Sequence, residues 1–457
     1  MKTIGRGPHH APARDATAPP PHPPAFPPAT WTQPVTLYNL FPLLAGPFPR
    51  WSAHFTRIAA MGFDWVFVNP IQQPGASRSL YSVADYFRIN PALLDPQSAA
   101  APEEQVRQMA AAAKASGLKL MIDLVINHSA IDAGLTHEHP EWFVREPDGR
   151  IANAFCQHNG EKVVWHDLAQ FNHRYTSDPE GLYRYCLRVV EHLLSLGFEG
   201  FRCDAAYQVP RHFWHRLIRD IKARQPQTLF VAETLGCSAD ETLETARAGF
   251  DYVFNSSKWW DFRDWWLIEQ YNLVREATRS ISFPESHDTP RLCQELNGNL
   301  NGVKQRYLFS ALFSAGVMLP MGFEFGFRKP LHVIHTTPAD WETTGVDLSP
   351  YVAKVNAIKK AHPVFHEESL TSIFPCQNPN ILLLWKASTK HKDEALLILN
   401  KDPHQHQEFA TDHFRHFVQA GAPLRDVSPE YPLEYIHEPF HYSLRPGQGI
   451  VLVTARN

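Results

Sequence analysis

From about residue 35 the chain alternates short β-rich apolar runs with stretches of helical length, and this rhythm restricts the fold more than any other property of the sequence. The runs are "VTLYNLF" (35–41), "FDWVFVNPI" (63–71), "LKLMIDLVINH" (118–128), "FEGFRCDAA" (198–206), "LFVAETLG" (229–236), "YVFNSS" (252–257), "SISFPESHD" (280–288) and "GVMLPMGFEFG" (316–326). Helices are expected at 49–61, 102–116, 179–196, 210–224, 238–248 and 303–315. Near-continuous apolar strands joined by helical crossovers signal a parallel sheet buried on both faces. Eight such units predict an α/β fold, a (β/α)8 TIM barrel.

Two segments depart from the rhythm. Residues 129–176 follow the third strand as a polar, aromatic insertion, which in a barrel stands over the carboxyl ends of the strands. After a last helix at 349–362, "NILLLWKAS", "EALLILNKD" and "GIVLVTA" read as strands of an antiparallel C-terminal β-sandwich over 365–457. The barrel would then occupy 31–364, and the Pro-rich residues 1–30 a disordered or polyproline leader.

Composition narrows the partners. At 457 residues the chain is too long for one ordinary domain but suits a barrel with an appendage. Twelve Trp and fourteen Tyr exceed what a core alone needs, and amphipathic rings suit flat, partly polar ligands. A net charge of -4 gives no basis for a nucleic-acid or membrane partner, and no apolar run is long enough to span a bilayer. The six cysteines form no CxxC pair and no zinc spacing, which favours a reducing compartment. The leader lacks the apolar segment of a secretory signal, so a soluble cytoplasmic protein is expected.

The ionisable residues at the carboxyl ends of the strands carry the chemistry. The third strand supplies Asp123, Asn127 and His128, the fourth Arg202 and Asp204, the fifth Glu233, and the seventh His287 and Asp288. Any one alone would more often be a satisfied structural group. Gathered at one barrel mouth, so much desolvated charge needs a use. Paired carboxylates cut acetals: one ionised as nucleophile, the other protonated as general acid. Strand alternation puts Arg202 and Asp204 on one face, and a carboxylate beside a guanidinium stays ionised, which makes Asp204 the nucleophile. Glu233 has no adjacent cation in sequence and is the candidate acid/base. Asp288 would stabilise the cationic transition state, and His128 and His287 would hold sugar hydroxyls. Two other classes are weighed against this: a non-catalytic glucan-binding barrel, which predicts loss of Asp204, Glu233 or Asp288 where none is lost, and a metal-dependent hydrolase with His128 and His287 as ligands, which needs a first-strand ligand that "VTLYNLF" does not offer.

The motifs together resemble glycoside hydrolase family 13, the α-amylase superfamily. "DLVINH" is similar to its first conserved segment, "GFRCDAA" to the second, "FVAETLG" to the third and "FPESHD" to the fourth, in the family's order. The resemblance implies Asp204 as nucleophile, Glu233 as acid/base and Asp288 as transition-state stabiliser. It implies Tyr81, Asp123, His128, Arg202 and His287 as substrate contacts, with Tyr81 an aromatic platform beneath the sugar ring. The substrate would be an α-glucan or maltooligosaccharide. The insertion would be domain B, in which "DLAQFN" (167–172) is similar to a further motif, and no cofactor would be required. A structural calcium on Asn127 and Asp167 is the one metal it suggests. Ser286 replaces the usual asparagine of the fourth segment, and Ser82 stands where exo-acting α-glucosidases place an aspartate. Residues 347–365, the "LLILNKD" strand and "HPEWFVREPDGR" of the insertion are similar to maltose-1-phosphate maltosyltransferases, which carry a large amino-terminal domain and lack the His-Asp pair. With His287-Asp288 present, the expectation is a related branch, in which hydrolysis and glycosyl transfer both remain open.

Overall fold

The computed structural model describes residues 34–158, 161–419 and 423–455. The leader expected over 1–30 lies outside them. Eight parallel strands close a barrel: β1 (Val35–Leu40), β2 (Trp65–Val68), β3 (Lys119–Leu124), β4 (Gly200–Cys203), β5 (Leu229–Ala232), β6 (Tyr252–Phe254), β7 (Arg279–Ser282) and β8 (Gly316–Pro320). Each pairs in parallel with its neighbours in sequence, and β8 closes on β1. A helix follows each strand: α1 (Trp51–Ala60), α2 (Pro102–Ala115), α3 (Pro179–Ser195), α4 (Arg211–Lys222), α5 (Ala239–Ala246), α6 (Trp266–Val274), α7 (Leu300–Phe313) and α8 (Ser349–Ala361). The (β/α)8 expectation is met.

Alternation along the strands sorts the side chains into two apolar layers. Tyr38, Val66, Ile122, Phe201, Cys203 and Phe230 point outward into the shell beneath the helices. Leu37, Trp65, Phe67, Met121, Val231 and Phe254 fill the barrel interior. Arg202 and Asp123 continue the inward series and are register partners across β3 and β4. Cys203, one residue on, therefore faces away from the mouth and has no part in its chemistry.

The strands end earlier than the apolar runs suggest. β7 stops at Ser282 and β8 at Pro320, so "FPESHD" and "MGFEFG" lie in the loops that follow. α6 has no counterpart among the expected helices, because its start is hidden in the aromatic run "WWDFRDWW". α7 begins at Leu300, earlier than expected, because the Asn299 side chain accepts from the N–H groups of Asn301 and Gly302 and caps it. The stretch "NGNLNG" (297–302) thus comprises a turn, the Asn299 cap and the first residues of α7.

Beyond β3, the segments His128–Ala130, Asn153–His158 and Glu161–Gln170 form a three-stranded antiparallel sheet. Beyond β2, a hairpin of Gln72–Pro74 and Val83–Ile89 carries Tyr81 at its turn. After α8 come a five-stranded antiparallel sheet, with β9 (Leu370–Phe374), β10 (Ile381–Ala387), β11 (Asp393–Asn400), Arg425–Asp426 and β12 (Gly449–Ala455), and a two-stranded sheet of Gln407–Thr411 and Phe440–Leu444. Apolar side chains of both sheets, among them Leu383, Ile398, Phe409 and Phe440, pack in one cluster. Among the described residues no helix is long and apolar enough to cross a membrane.

The turn after β4 is pinned from outside the barrel. Trp214 of α4 is fully buried and donates its indole N–H to the Ala206 carbonyl at 2.9 Å. Trp214→Phe keeps most of the volume but removes this bond. It should cost about 1–2 kcal/mol and lower the melting temperature, as read by calorimetry.

Candidate active site

Arg202 organises the mouth. Its Nη1 donates to Asp123 Oδ1 at 2.8 Å and to Asp204 Oδ1 at 2.7 Å, one N–H for each carboxylate. Arg202 is 4% exposed and Asp123 is completely buried. Asp204 follows directly on β4, and its N–H bonds to the Leu124 carbonyl, continuing the ladder one step past the strand.

Tyr81 reaches into this pair from the hairpin after β2. Its hydroxyl lies 2.6 Å from Asp123 Oδ2, 2.7 Å from His287 Nε2 and 2.9 Å from Asn69 Nδ2. A phenol has one proton. Given to Asp123, it leaves the oxygen to accept from Asn69 and His287, which places the His287 proton on Nε2. The two rings lie parallel, with centroids 5.7 Å apart. Asp288 Oδ2 is 3.0 Å from the same Nε2, and the Asp288 side chain is 54% exposed, open to the cleft. His128 joins through Nε2, 3.0 Å from the Tyr81 carbonyl oxygen. Burial pushes the His128 and His287 imidazoles below their ordinary range. Their Nδ1 atoms are buried with no hydrogen-bond partner among the described residues.

Glu233 sits one step past β5. Its Oε2 accepts from the Ala205 N–H and its Oε1 from the Leu235 N–H, each at 2.8 Å. Ala205 adopts φ 40 and ψ 47, a left-handed conformation rare for a residue with a Cβ, and this turn aims its N–H at the carboxyl. Burial raises Glu233 to about 7; Arg202 opposes the rise, while the charges of Asp204 and Asp288 add to it. Asp123 is also raised to about 7, chiefly by burial, with Asp204 adding and Arg202 and the Tyr81 hydroxyl opposing. Asp123, Arg202, Asp204, Tyr81, His287 and Asp288 thus share one hydrogen-bonded network. Glu233 adjoins it through Ala205, and His128 through the Tyr81 backbone.

Two clefts open near these residues, the first of them lined by His287 and Asp288. One of about 490 Å³ opens beside Asp288, between the loops after β7 and β8, with Arg328 and His332 on its rim. Another of about 570 Å³ runs past Tyr207, Tyr175 and Arg211. Burial raises the Tyr207 phenol, with the Gln208 amide opposing the rise and the charge of Glu233 adding to it.

Sequence reasoning missed several supports of the site. Asn69 is a buried amide with nothing local to mark it. Ser82 is buried and donates to the Asp167 carbonyl at 3.2 Å, tying hairpin to insertion. Glu285 and Arg291, each 1% exposed, form an ion pair at 2.8 Å. Glu285 also accepts from the Leu292 N–H, so the pair cinches the segment that carries His287 and Asp288 into a closed loop. Arg291 donates further to the Met321 and Lys329 carbonyls at 2.6 and 3.1 Å, tying this loop to the one after β8. An acidic residue beside a serine and an arginine after a proline gave the only sequence signal.

For the expected calcium, Asn127 Oδ1 is a buried oxygen with no partner among the described residues, the type of donor such an ion takes. Asp167 is engaged through its backbone carbonyl by the Ile131 N–H and Ser82. No group of three or more His, Cys, Asp or Glu able to hold a metal occurs among the described residues.

Comparison with known proteins agrees with the motifs. Residues 32–144 match the family described as glycogen debranching enzyme, glucanotransferase domain. The chain is 28% identical over 381 residues to an α-1,4-glucan:maltose-1-phosphate maltosyltransferase of Burkholderia pseudomallei, covering 79% of this chain and 32% of that protein. It is 26% identical over 391 residues to maltosyltransferase 2 of Streptomyces coelicolor, covering 79% of this chain and 57% of that one. The chain thus spans a third to somewhat over half of the length of these two relatives. In fold it is similar to an α-amylase from Lactobacillus plantarum, with a TM-score of 0.73 at 20% identity over 93% of this chain and 99% of the other. The similarity to maltosyltransferases therefore holds in sequence and the likeness to α-amylases in fold.

Breaking the Glu285–Arg291 pair should expose its dependence on both partners. Glu285→Ala strands a buried guanidinium and should cost about 3–5 kcal/mol, with a lower melting temperature. Replacing both residues together by Leu and Met should cost less than Glu285→Ala alone, which thermal denaturation of the two proteins decides.

Proposed function

We propose that the chain is a retaining, α-glucan-active enzyme of the α-amylase superfamily, cleaving α-glucosidic bonds through a glycosyl ester on Asp204. The observation that carries this reading is the contrast between two neighbouring carboxyls. Asp204 is held on Arg202, while Glu233 is buried and raised to about 7. In the first step Glu233 gives its proton to the glycosidic oxygen as Asp204 Oδ attacks the anomeric carbon; the C–O bond breaks and the shortened glucan leaves. In the second step the Glu233 carboxylate takes a proton from the incoming hydroxyl, whose oxygen displaces Asp204 from the anomeric carbon. Asp288, open to the cleft, would face the positive charge that develops on the sugar. Arg202, His128 and His287 would hold its hydroxyls, with Asp123 and Tyr81 fixing their orientation.

Glucan would lie along the cleft beside Asp288, with its leaving part towards Glu233. The first reading for the acceptor is water or a glucan hydroxyl. A second is maltosyl transfer from maltose 1-phosphate, which the similarity to maltosyltransferases over 79% of the chain favours. Calcium, where bound, would be held by Asn127 and Asp167 and would brace the insertion; no step above runs through it. All six cysteines are free thiols, which suits a reducing cytoplasm.

Asp204→Ala and Glu233→Gln should each reduce turnover by roughly three orders of magnitude or more with the fold intact. Near-native activity in either would sink the assignment and leave a glucan-binding protein. Because Glu233 acts as acid only while protonated, kcat/KM should fall as pH rises through about 7, on a limb shared with the coupled Asp123. A profile flat from about pH 6 to 9 would reject Glu233 as the acid. Chromatography and mass spectrometry of products from maltoheptaose, with and without maltose 1-phosphate, separate the acceptors. Shorter chains mean hydrolysis, longer ones from maltoheptaose alone mean transglycosylation, and growth by two glucose units only with maltose 1-phosphate means maltosyl transfer.

A further inference from the structure

Away from the barrel mouth, one surface residue is held in a conformation that its surroundings do not favour. Tyr431 has φ 53, left-handed backbone that is an outlier for so bulky a residue. It also precedes Pro432, whose ring steers the residue before it towards extended backbone. Burial does not compensate, since Tyr431 is 51% exposed. Strain of this kind persists where the surroundings enforce it, and it gathers at ligand-binding positions.

The enforcing contacts are visible. The Arg445 guanidinium lies 3.9 Å from the centre of the Tyr431 ring. Glu430 is anchored by Lys304 of α7 at 2.6 Å, and Lys304 in turn lies 5.2 Å from the ring of Tyr351 in α8. Together these residues wall a cavity of about 270 Å³ between the barrel helices and the C-terminal strands, with His406 and Gln448 completing the rim. Barrel helices run opposite to the strands, so the first turns of α7 and α8, which supply Asn301, Lys304 and Tyr351, lie at the end of the barrel that holds Asp204 and Glu233.

The chemistry of the lining selects its ligand. A half-exposed phenol ring offers an apolar face with a polar edge. A guanidinium stacked by its face keeps its in-plane N–H groups free to donate. The Glu430 carboxylate and the Gln448 amide can accept. Lys304 and Arg445 disfavour a bare cation, and Glu430 disfavours a phosphate or other strong anion. A neutral, polyhydroxylated ring with apolar faces fits all of them.

We propose that this cavity is a second α-glucan site, which grips polymer through Tyr431 and Arg445 on the flank of the barrel while another stretch of the chain reaches the catalytic mouth. The choice of glucan rests on the function proposed above. Such a site raises the local concentration of substrate without touching the reacting sugar.

The test compares Tyr431→Ala and Arg445→Ala with the wild-type protein, by retardation in native gels containing glycogen and by turnover of glycogen and of maltoheptaose. Each variant should weaken glycogen retardation about tenfold and raise KM for glycogen, while kcat/KM for maltoheptaose stays within about twofold. In an Asp204→Ala background, where turnover is absent, the retardation should persist and be lost on adding Tyr431→Ala. Wild-type protein that glycogen does not retard, or variants retarded as strongly as wild type, would overturn the second site. Wild-type protein that glycogen retards through Tyr431 but that turns over no glucan would instead overturn the catalytic reading and leave the flank site standing. If Tyr431→Ala misfolds, Arg445→Ala decides, since the substitution is not at the strained residue itself and its melting temperature shows whether the fold is kept.

Discussion

A single nitrogen, Nη1 of Arg202, holds two carboxylates at once, and much of the mouth is arranged to make that tolerable. Taking a guanidinium and a carboxylate out of water costs several kcal/mol per ion, offset only where geometry is good and the remaining polar atoms are satisfied. Here Asp123 spends its second oxygen on Tyr81, whose hydroxyl is in turn filled by Asn69 and His287. The chain of donors therefore runs from β4 through β3 and the hairpin after β2 to the loop after β7. Four separate parts of the sequence are bound to one another by the need to satisfy one buried cation.

The same arrangement gives two carboxyls of the mouth different surroundings. Asp204 shares the guanidinium, whereas Glu233 receives only two backbone N–H groups and so feels its burial more than its partners. Both backbone donors come from turns at the ends of β4 and β5. One of them depends on Ala205 standing in left-handed backbone, with Trp214 securing the next residue from the helical layer outside. The electrostatic setting of the mouth is thus partly a product of how α4 packs.

The positions of Asp123, Arg202, Asp204 and Glu233 were legible because each lies at the end of an apolar strand, a local property of sequence, and those of His287 and Asp288 because the loop after β7 continues its apolar run. So was the barrel, since period-two and helical patterns repeat along the chain. What was not legible depends on distance in the sequence. Tyr81 meets His287 across 206 residues, and nothing near Asn69 marks it as the donor to that hydroxyl. The Glu285–Arg291 pair lies close in sequence, yet its role comes from carbonyls on another loop. Helix α6 was hidden because its aromatic start has no alternation to read. The apolar runs overshot the strands because a loop packed against the mouth is as apolar as the strand it leaves.

The tie between the loops after β7 and β8 has a consequence for how this scaffold can change. Arg291 reaches across to the carbonyls of Met321 and Lys329, so the walls of the cleft beside Asp288 form one mechanical unit. Exchanging the β8 loop alone, whether by recombination or by grafting, would leave the buried Arg291 guanidinium with Glu285 as its acceptor and its Nε and Nη2 donors unpaired. Diversity on this side of the barrel should therefore travel as a cassette running from Glu285 to Lys329, with α7 carried inside it.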